Sequence, residues 1–237
     1  MQMLGADGYG LRLWKKRMSG FRLDDALAPH LTCGQRDRLA RAHVGIVGAG
    51  GLGSNCAMLL ARTGVGHLVL ADHDTVAPSN LNRQHFFPRH LGSPKVEALA
   101  EQLRELNPGL GLTLSRERQN ADTVCALFRG CDVVVEAVDA PEIKRMLVEA
   151  LLQAGHAVVS ASGMAGWGGP DMVRRRMGRL VVVGDMERAV GPGMPPLAPR
   201  VVMAAALEAD AVLELLLGPS PRVDTPTPDG ALDCTER

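Results

Sequence analysis

The chain has 237 residues, 46% of them apolar and 22% charged, which suits one ordinary soluble domain with a full hydrophobic core. Lysines and arginines number 26 and so do aspartates and glutamates, so bulk charge cannot drive binding to nucleic acid or to a membrane surface. No stretch is long and apolar enough for a membrane helix, and Arg12, Lys15, Lys16 and Arg17 interrupt any signal-peptide core.

Residues 1–31 read as an irregular N-terminal segment. Thr32 and Gln35 have capping-box spacing and open a short helix reaching about Ala42. His43 to Val47 is a β-branched run that stops at Gly48, the first strand. Leu52 to Thr63 has helical spacing and ends at Gly64. His67 to Ala71 is the second strand, closed by Asp72. Lys95 to Asn107 is an amphipathic helix stopped at Pro108, followed by a strand over Leu110 to Ser115 and a helix over Ala121 to Phe128. Asp132 to Ala137 is apolar except for Glu136, as befits a buried parallel strand. A helix over Pro141 to Gln153 and a strand over Ala157 to Ser160 complete the alternation.

This order predicts an α/β fold, a Rossmann-like doubly wound and mainly parallel sheet. After Ser162 the pattern changes. Gly163 to Pro170 is glycine-rich, Met172 to Val183 suits two short antiparallel strands as a C-terminal extension, and Gly191 to Pro199 is a loop. Val201 to Leu217 is a strongly apolar helix, expected in the core or a dimer interface. Residues 32–218 form the single domain, and residues 219–237 read as a disordered tail.

The segment GAGGLG at 48–53 has the composition of a phosphate-cradling turn. Gly48 allows the tight turn, Gly50 and Gly51 admit a phosphate close to the backbone, and Gly53 lets the helix pack on the sheet. The helix start then offers free N–H groups to an anion. Asp72, about twenty residues on, suits a ribose hydroxyl. A dinucleotide enzyme would use the same residues. Asp74, Asn80, Arg83, Gln84 and Lys95 discriminate, because a pyrophosphate already cradled by a helix has no use for them. An enzyme that expels pyrophosphate from ATP does: fixed cations stabilise the charge that builds on the leaving group. Arg83 can grip phosphate oxygens in pairs and Lys95 can act as a point charge. Asp139, just past a buried strand, stands where open α/β sheets bind ligands. It suits either Mg²⁺ or the N-cap of the next helix.

GAGGLGS, D-x-D with SNLNRQ, GSPK at Gly92 to Lys95, Asn107-Pro108 and VEAVDAPEIKR from Val135 resemble the ubiquitin-activating-like adenylyltransferases, the ThiF/MoeB/HesA family. Within it the pattern is most similar to the short bacterial ThiF-type enzymes of thiamine synthesis. The resemblance implies binding of ATP and Mg²⁺, adenylation of the Gly-Gly carboxylate of a small β-grasp sulfur-carrier protein, and a homodimer. It makes Gly51 and its neighbours the phosphate loop, Asp72 the ribose ligand, Asn80, Arg83 and Lys95 phosphate contacts, and Asp139 the metal-facing acid. A partner arginine often completes the site in this family; Arg36, Arg38 and Arg41 are candidates.

The chain also departs from the family. Many relatives hold zinc between two C-x-x-C pairs; here Cys33, Cys56, Cys125, Cys131 and Cys234 form none, so no zinc is expected. The odd, scattered set suits a reducing cytoplasm. No cysteine lies between Ala157 and Leu217, so the reaction is expected to stop at the acyl-adenylate, with sulfur delivered by a separate donor. Other acceptors, a molybdopterin carrier or a modified tRNA base, remain open, as does a non-catalytic nucleotide-binding relative.

Overall fold

The computed structural model describes residues 22–220. The irregular character expected for 1–21 and the disorder expected from 221 onward lie outside those residues. Helix α1 (Leu23–Leu27) and α2 (Cys33–Arg41) precede the sheet. The elements that follow are β1 (His43–Val47), α3 (Gly51–Arg62), β2 (His67–Ala71), α4 (Lys95–Leu106), β3 (Gly111–Ser115), α5 (Ala121–Leu127) and β4 (Val133–Glu136). Then come α6 (Pro141–Gln153), β5 (Ala157–Ala161), β6 (Val173–Met177), β7 (Leu180–Gly184) and α7 (Ala198–Leu217). Two short 3₁₀ turns, Pro78–Asn80 and Pro88–His90, fill the long connection after β2.

The seven strands lie in the order β3-β2-β1-β4-β5-β7-β6. All pairings are parallel except that of the β6–β7 hairpin. The expected doubly wound sheet with an antiparallel extension is therefore what the chain builds. Alternate strand residues face two cores. Val44, Ile46, Val133, Val135 and Val159 meet α3, α4 and α7 on one side, and Val134, Val158 and Phe128 meet α5 and α6 on the other. Each fully buried aliphatic side chain adds about 1.5–3 kcal/mol.

Local chemistry sets the ends. The Thr32–Gln35 capping box is present, with Gln35 N–H donating to Thr32 Oγ1 at 3.2 Å and Thr32 N–H to Gln35 Oε1 at 2.9 Å. Asn120 Oδ1 accepts from Asp122 N and Thr123 N at 3.0 Å and starts α5. Helix α1 corrects the reading of 1–31 as wholly irregular. Its five residues are held by tertiary contacts: Asp24 pairs with Arg36 on α2, and Leu27 lies under the left-handed Gly64. Helix α7 starts at Ala198, earlier than expected, because Pro199 is suited to the first helical turn.

Strand order reverses between β1 and β4, so the loops that leave their C-terminal ends diverge and open a crevice there. The glycine turn leaves β1 at this crevice and Val138–Asp139 leaves β4.

Candidate active site

The glycine turn is built by close approach. Gly48 has φ +95°, and a Cβ there would stand 2.7 Å from the Ala137 carbonyl oxygen of the loop after β4. A Cβ on Gly53 would overlap the Gly48 carbonyl oxygen, so that glycine is required by packing of α3 against the turn. Gly50 is different. A Cβ there would meet nothing nearer than Gln84 Nε2 at 3.8 Å, so its face is open. Gly51 carries the stem of Arg83 and Val201 of α7 against its own face.

Asp72 serves the turn directly. One oxygen accepts from Ala49 N at 2.7 Å and the other from Asp74 N at 2.8 Å. Each oxygen keeps a further lone pair for a hydroxyl. Asp74 in turn accepts from Lys95 Nζ at 2.8 Å, and the Lys95 side chain is buried. That hydrogen bond holds the Asp74 carboxyl below its usual pKa. Lys95 is therefore half of an ion pair and not the free cation its spacing suggests, though two of its N–H donors remain. Asp72, His73 and Asp74 bring ligand atoms within 4.8 Å of one another, but the first and last are committed to these contacts.

The SNLNRQ segment is fastened to two helices. Asn55 Nδ2 of α3 donates to Gly51 O at 2.6 Å and to Arg83 O at 2.9 Å. Ser54 Oγ donates to Gly50 O at 2.6 Å and accepts from His85 N at 2.9 Å. Gln102 Nε2 of α4 donates to His85 O at 2.8 Å. Within the segment, Asn80 Oδ1 caps the Pro78–Asn80 turn through Ala77 N, and the Arg83 guanidinium donates to Ser79 O and Asn82 Oδ1. Gln84 is buried beside Gly50 with its Oε1 unpartnered. Ser54, Asn55 and Gln102 were missed from sequence; polar residues on the buried face of otherwise apolar helices were the available signal.

Asp139 is exposed and has no hydrogen-bond partner among the described residues. The N-cap of α6 is Ala140, without a side-chain cap, so Asp139 is free for another task. Behind it Glu136, fully buried, accepts from Val138 N at 2.8 Å, Lys144 Nζ at 2.5 Å and Ser160 Oγ at 2.7 Å. This explains the one charge in an apolar strand: it shapes the loop that presents Asp139.

The far wall is residues 163–200. Arg200 of α7 is buried and pairs with Asp185 Oδ2 at 2.5 Å, while also donating to Gly168 O and Pro170 O. Asp185 Oδ1 accepts from Glu187 N and Arg188 N, a turn in which Met186 takes φ +62°. Burial works against the Asp185 charge, yet the hydrogen bonds from Arg188, Glu187 and Arg200 hold its pKa below the usual value. Gly166 N donates to Pro195 O at 2.8 Å and Asn82 Nδ2 to Pro196 O at 3.2 Å, which joins this wall to the SNLNRQ segment. Trp167 stands at its rim, 70% exposed.

The described cysteines lie away from this crevice. Cys56 is fully buried in α3, and burial raises its pKa well above the ordinary value. Burial pushes the Cys131 thiol up to about 12. Cys56, Cys125 and Cys131 are free and Cys33 is disulfide-bonded, a bond that the reading of the odd, scattered set as suited to a reducing cytoplasm did not anticipate. Of the three candidates for an arginine in trans, Arg36 is engaged with Asp24 and Arg38 with Leu217 O, while Arg41 closes α2.

The ThiF family model matches residues 24–227. The chain belongs to the ThiF family. It is 37% identical over 131 residues to the adenylyltransferase and sulfurtransferase UBA4 of Yarrowia lipolytica, 55% of this chain and 33% of that one. The Aspergillus terreus protein of the same name is 32% identical over 198 residues, 81% of this chain and 39% of its own. The chain thus spans about a third of the length of these curated relatives. Among solved structures it is similar to the E. coli tRNA N6-threonylcarbamoyladenosine dehydratase TcdA, with a TM-score of 0.73 and 22% identity over 86% of this chain and 95% of that one. E. coli MccB with ATP gives a TM-score of 0.60 and 23% identity, covering 77% and 57%. These structural likenesses bear on the fold alone. No helix among the described residues is long and apolar enough to cross a membrane.

Proposed function

We propose that the chain adenylates the C-terminal Gly-Gly carboxylate of a small β-grasp sulfur-carrier protein, of the ThiS type that serves thiazole formation in thiamine synthesis. The observation that carries this is the crevice: an open Gly50 face beside the buried Gln84, whose Oε1 is unpartnered, the Arg83 stem on Gly51, and against Gly48 the loop after β4 that leads to the exposed Asp139. The curated relatives bear the name adenylyltransferase, and the similar structures named above include one with ATP.

The acceptor carboxylate is ionised at neutral pH and needs no general base. Its oxygen forms a bond to the α-phosphorus as the bond to the bridging oxygen breaks, and pyrophosphate leaves with that electron pair. Arg83 and the remaining donors of Lys95 would stabilise the leaving charge, Asn80 and Gln84 would orient the phosphates, and Asp72 would take a ribose hydroxyl. Asp139 would hold Mg²⁺, whose charge would neutralise the phosphate oxygens. Gly168, where a Cβ would meet nothing within 4 Å, gives the far wall an open face for a Gly-Gly tail, while Gly163 and Gly169 are closed by Asp185 and Arg188. Among the described residues no thiol lies in the crevice, and in this reading the product is the acyl-adenylate, passed to a separate sulfur donor. A homodimer is part of this reading.

The test is ATP–pyrophosphate exchange with ThiS-type and molybdopterin-type carriers and with tRNA as acceptors. Exchange that depends on the ThiS-type carrier is expected. Arg83→Ala and Asp139→Ala should each lower it by about 100-fold or more with an unchanged melting temperature. Exchange with tRNA alone would transfer the reading to a modified base, and near-normal rates in both variants would remove these residues from the site.

A further inference from the structure

Strand β6 (VRRRM) is exposed at all five positions, and among the described residues it pairs only with β7, at the edge of the sheet. In an antiparallel pair alternate residues turn both backbone groups outward, so β6 offers an open ladder to another strand. Its side chains are patterned. Arg174 faces α7, paired with Asp210 at 3.0 Å and Glu214 at 2.7 Å. Val173, Arg175 and Met177 share the opposite face, where their cross-strand partners are Gly184, Val182 and Leu180. On that face Val173 is 40% and Met177 58% exposed, with Arg175 between them. Among the described residues neither Arg175 nor Arg176 has a carboxylate partner; Arg176 Nε only reaches Gly178 O.

We infer that the free edge of β6 is the docking strand for an extended acidic segment of the acceptor protein, added as an eighth strand with acidic side chains flanked by apolar ones. A second copy of this chain is a poor occupant, because pairing β6 with itself would set arginine against arginine. RNA would use the charges but neither the open ladder nor the apolar pair. The position suits an acceptor. β6 runs antiparallel to β7, so its Val173 end lies at the edge of the sheet where β1 and β4 open the crevice. Only residues 162–172, which include the glycine-rich wall, separate it in sequence from the end of β5. A protein seated on β6 could send its tail along that wall to Asp139.

The inference rests on the acceptor being a protein, and its test is arranged to separate the two. The first probe is a fluorescein-labelled twelve-residue peptide of alternating valine and glutamate, with a valine–lysine peptide as control, followed by anisotropy with the full chain. The second is the KM for a ThiS-type carrier in ATP–pyrophosphate exchange. The variant is Arg175→Glu with Arg176→Glu, both exposed and outside the nucleotide site, checked for an unchanged melting temperature. The acidic peptide should bind the wild type and not the control, and the variant should weaken it about tenfold. The carrier KM should rise by a similar factor while the KM for ATP stays put. No peptide binding together with an unchanged carrier KM would overturn the proposal and leave the arginines as guards against aggregation. So would loss of bulk tRNA binding in the variant with no effect on peptide or carrier. If no carrier supports exchange with the wild type, the proposed reaction fails, and peptide binding still decides the docking strand.

Discussion

Around the glycine turn the backbone is fastened by one carboxylate, Asp72, and by several neutral side chains on regular helices: Ser54, Asn55 and Gln102 each bond a loop carbonyl. Around residues 163–188 it is fastened by charge, through one buried pair, Arg200 and Asp185, with Met186 held at φ +62° between them. The first arrangement is redundant. Losing one neutral tie leaves the others, and none depends on pH near neutrality. The second concentrates the hold in two groups, and removing either leaves the other buried without its partner. The wall around the glycine turn is thereby preformed, while the wall of residues 163–188 stands or falls as a unit.

The largest test of this contrast is Arg200→Ala. It strands the Asp185 charge and the Gly168 and Pro170 carbonyls, and should lower stability by about 3–5 kcal/mol in urea unfolding. The double change Arg200→Met with Asp185→Leu should restore much of that. A single-variant loss below about 1 kcal/mol would show that charge does not hold the wall. Next comes Gly53→Ala, whose Cβ overlaps the Gly48 carbonyl oxygen and should cost about 3 kcal/mol by overpacking. Gly50→Ala, by contrast, should melt normally and weaken ATP binding about tenfold, because its open face is where a phosphate would come. Equal melting of the two glycine variants would contradict the packing described. Asn55→Ala is smaller again. It removes two hydrogen bonds and should cost about 1–2 kcal/mol. It should also depress carrier-dependent exchange through the displaced Arg83 segment, and a normal exchange rate would mean that the neutral ties are individually dispensable.

Sequence reached these two walls unequally. The glycine turn, Asp72 and the SNLNRQ segment are short-range features, so spacing alone placed them after β1 and β2. Strand and helix periods likewise located the sheet, including the hairpin of β6 and β7. What eluded it is long-range pairing. Nothing local announces that Arg200 reaches Asp185, or that Lys95 spends its charge on Asp74. Helix α1 escaped for the same reason, since five residues show no period and are stabilised by Arg36 and Gly64. Asp139 was legible as a position after a buried strand, but its freedom from capping follows only from the dihedral start of α6 at Ala140.

Helix α7 joins the two walls, with Arg200 in its first turn and Val201 against Gly51, and it hides one further charge. Glu208 is fully buried with both oxygens unpartnered. Burial raises its pKa well above 4.5; Lys144 opposes that shift, Glu136 adds to it, and the buried Cys56 thiol of α3 lies within its influence. Folding therefore keeps a proton that the unfolded chain releases above about pH 4.5. Each further pH unit should cost about 1.4 kcal/mol until the folded carboxyl ionises. Glu208→Met, similar in volume and unable to titrate, should be more stable by about 1 kcal/mol at pH 5, from the lost unpaired oxygens alone. Its advantage should widen at pH 8. Urea midpoints at the two pH values decide it, since equal pH slopes in variant and wild type would mean that Glu208 is not a protonated acid in the fold. A widening gap would show instead that α7 is the pH-sensitive element beside a glycine turn whose neutral ties are indifferent to pH.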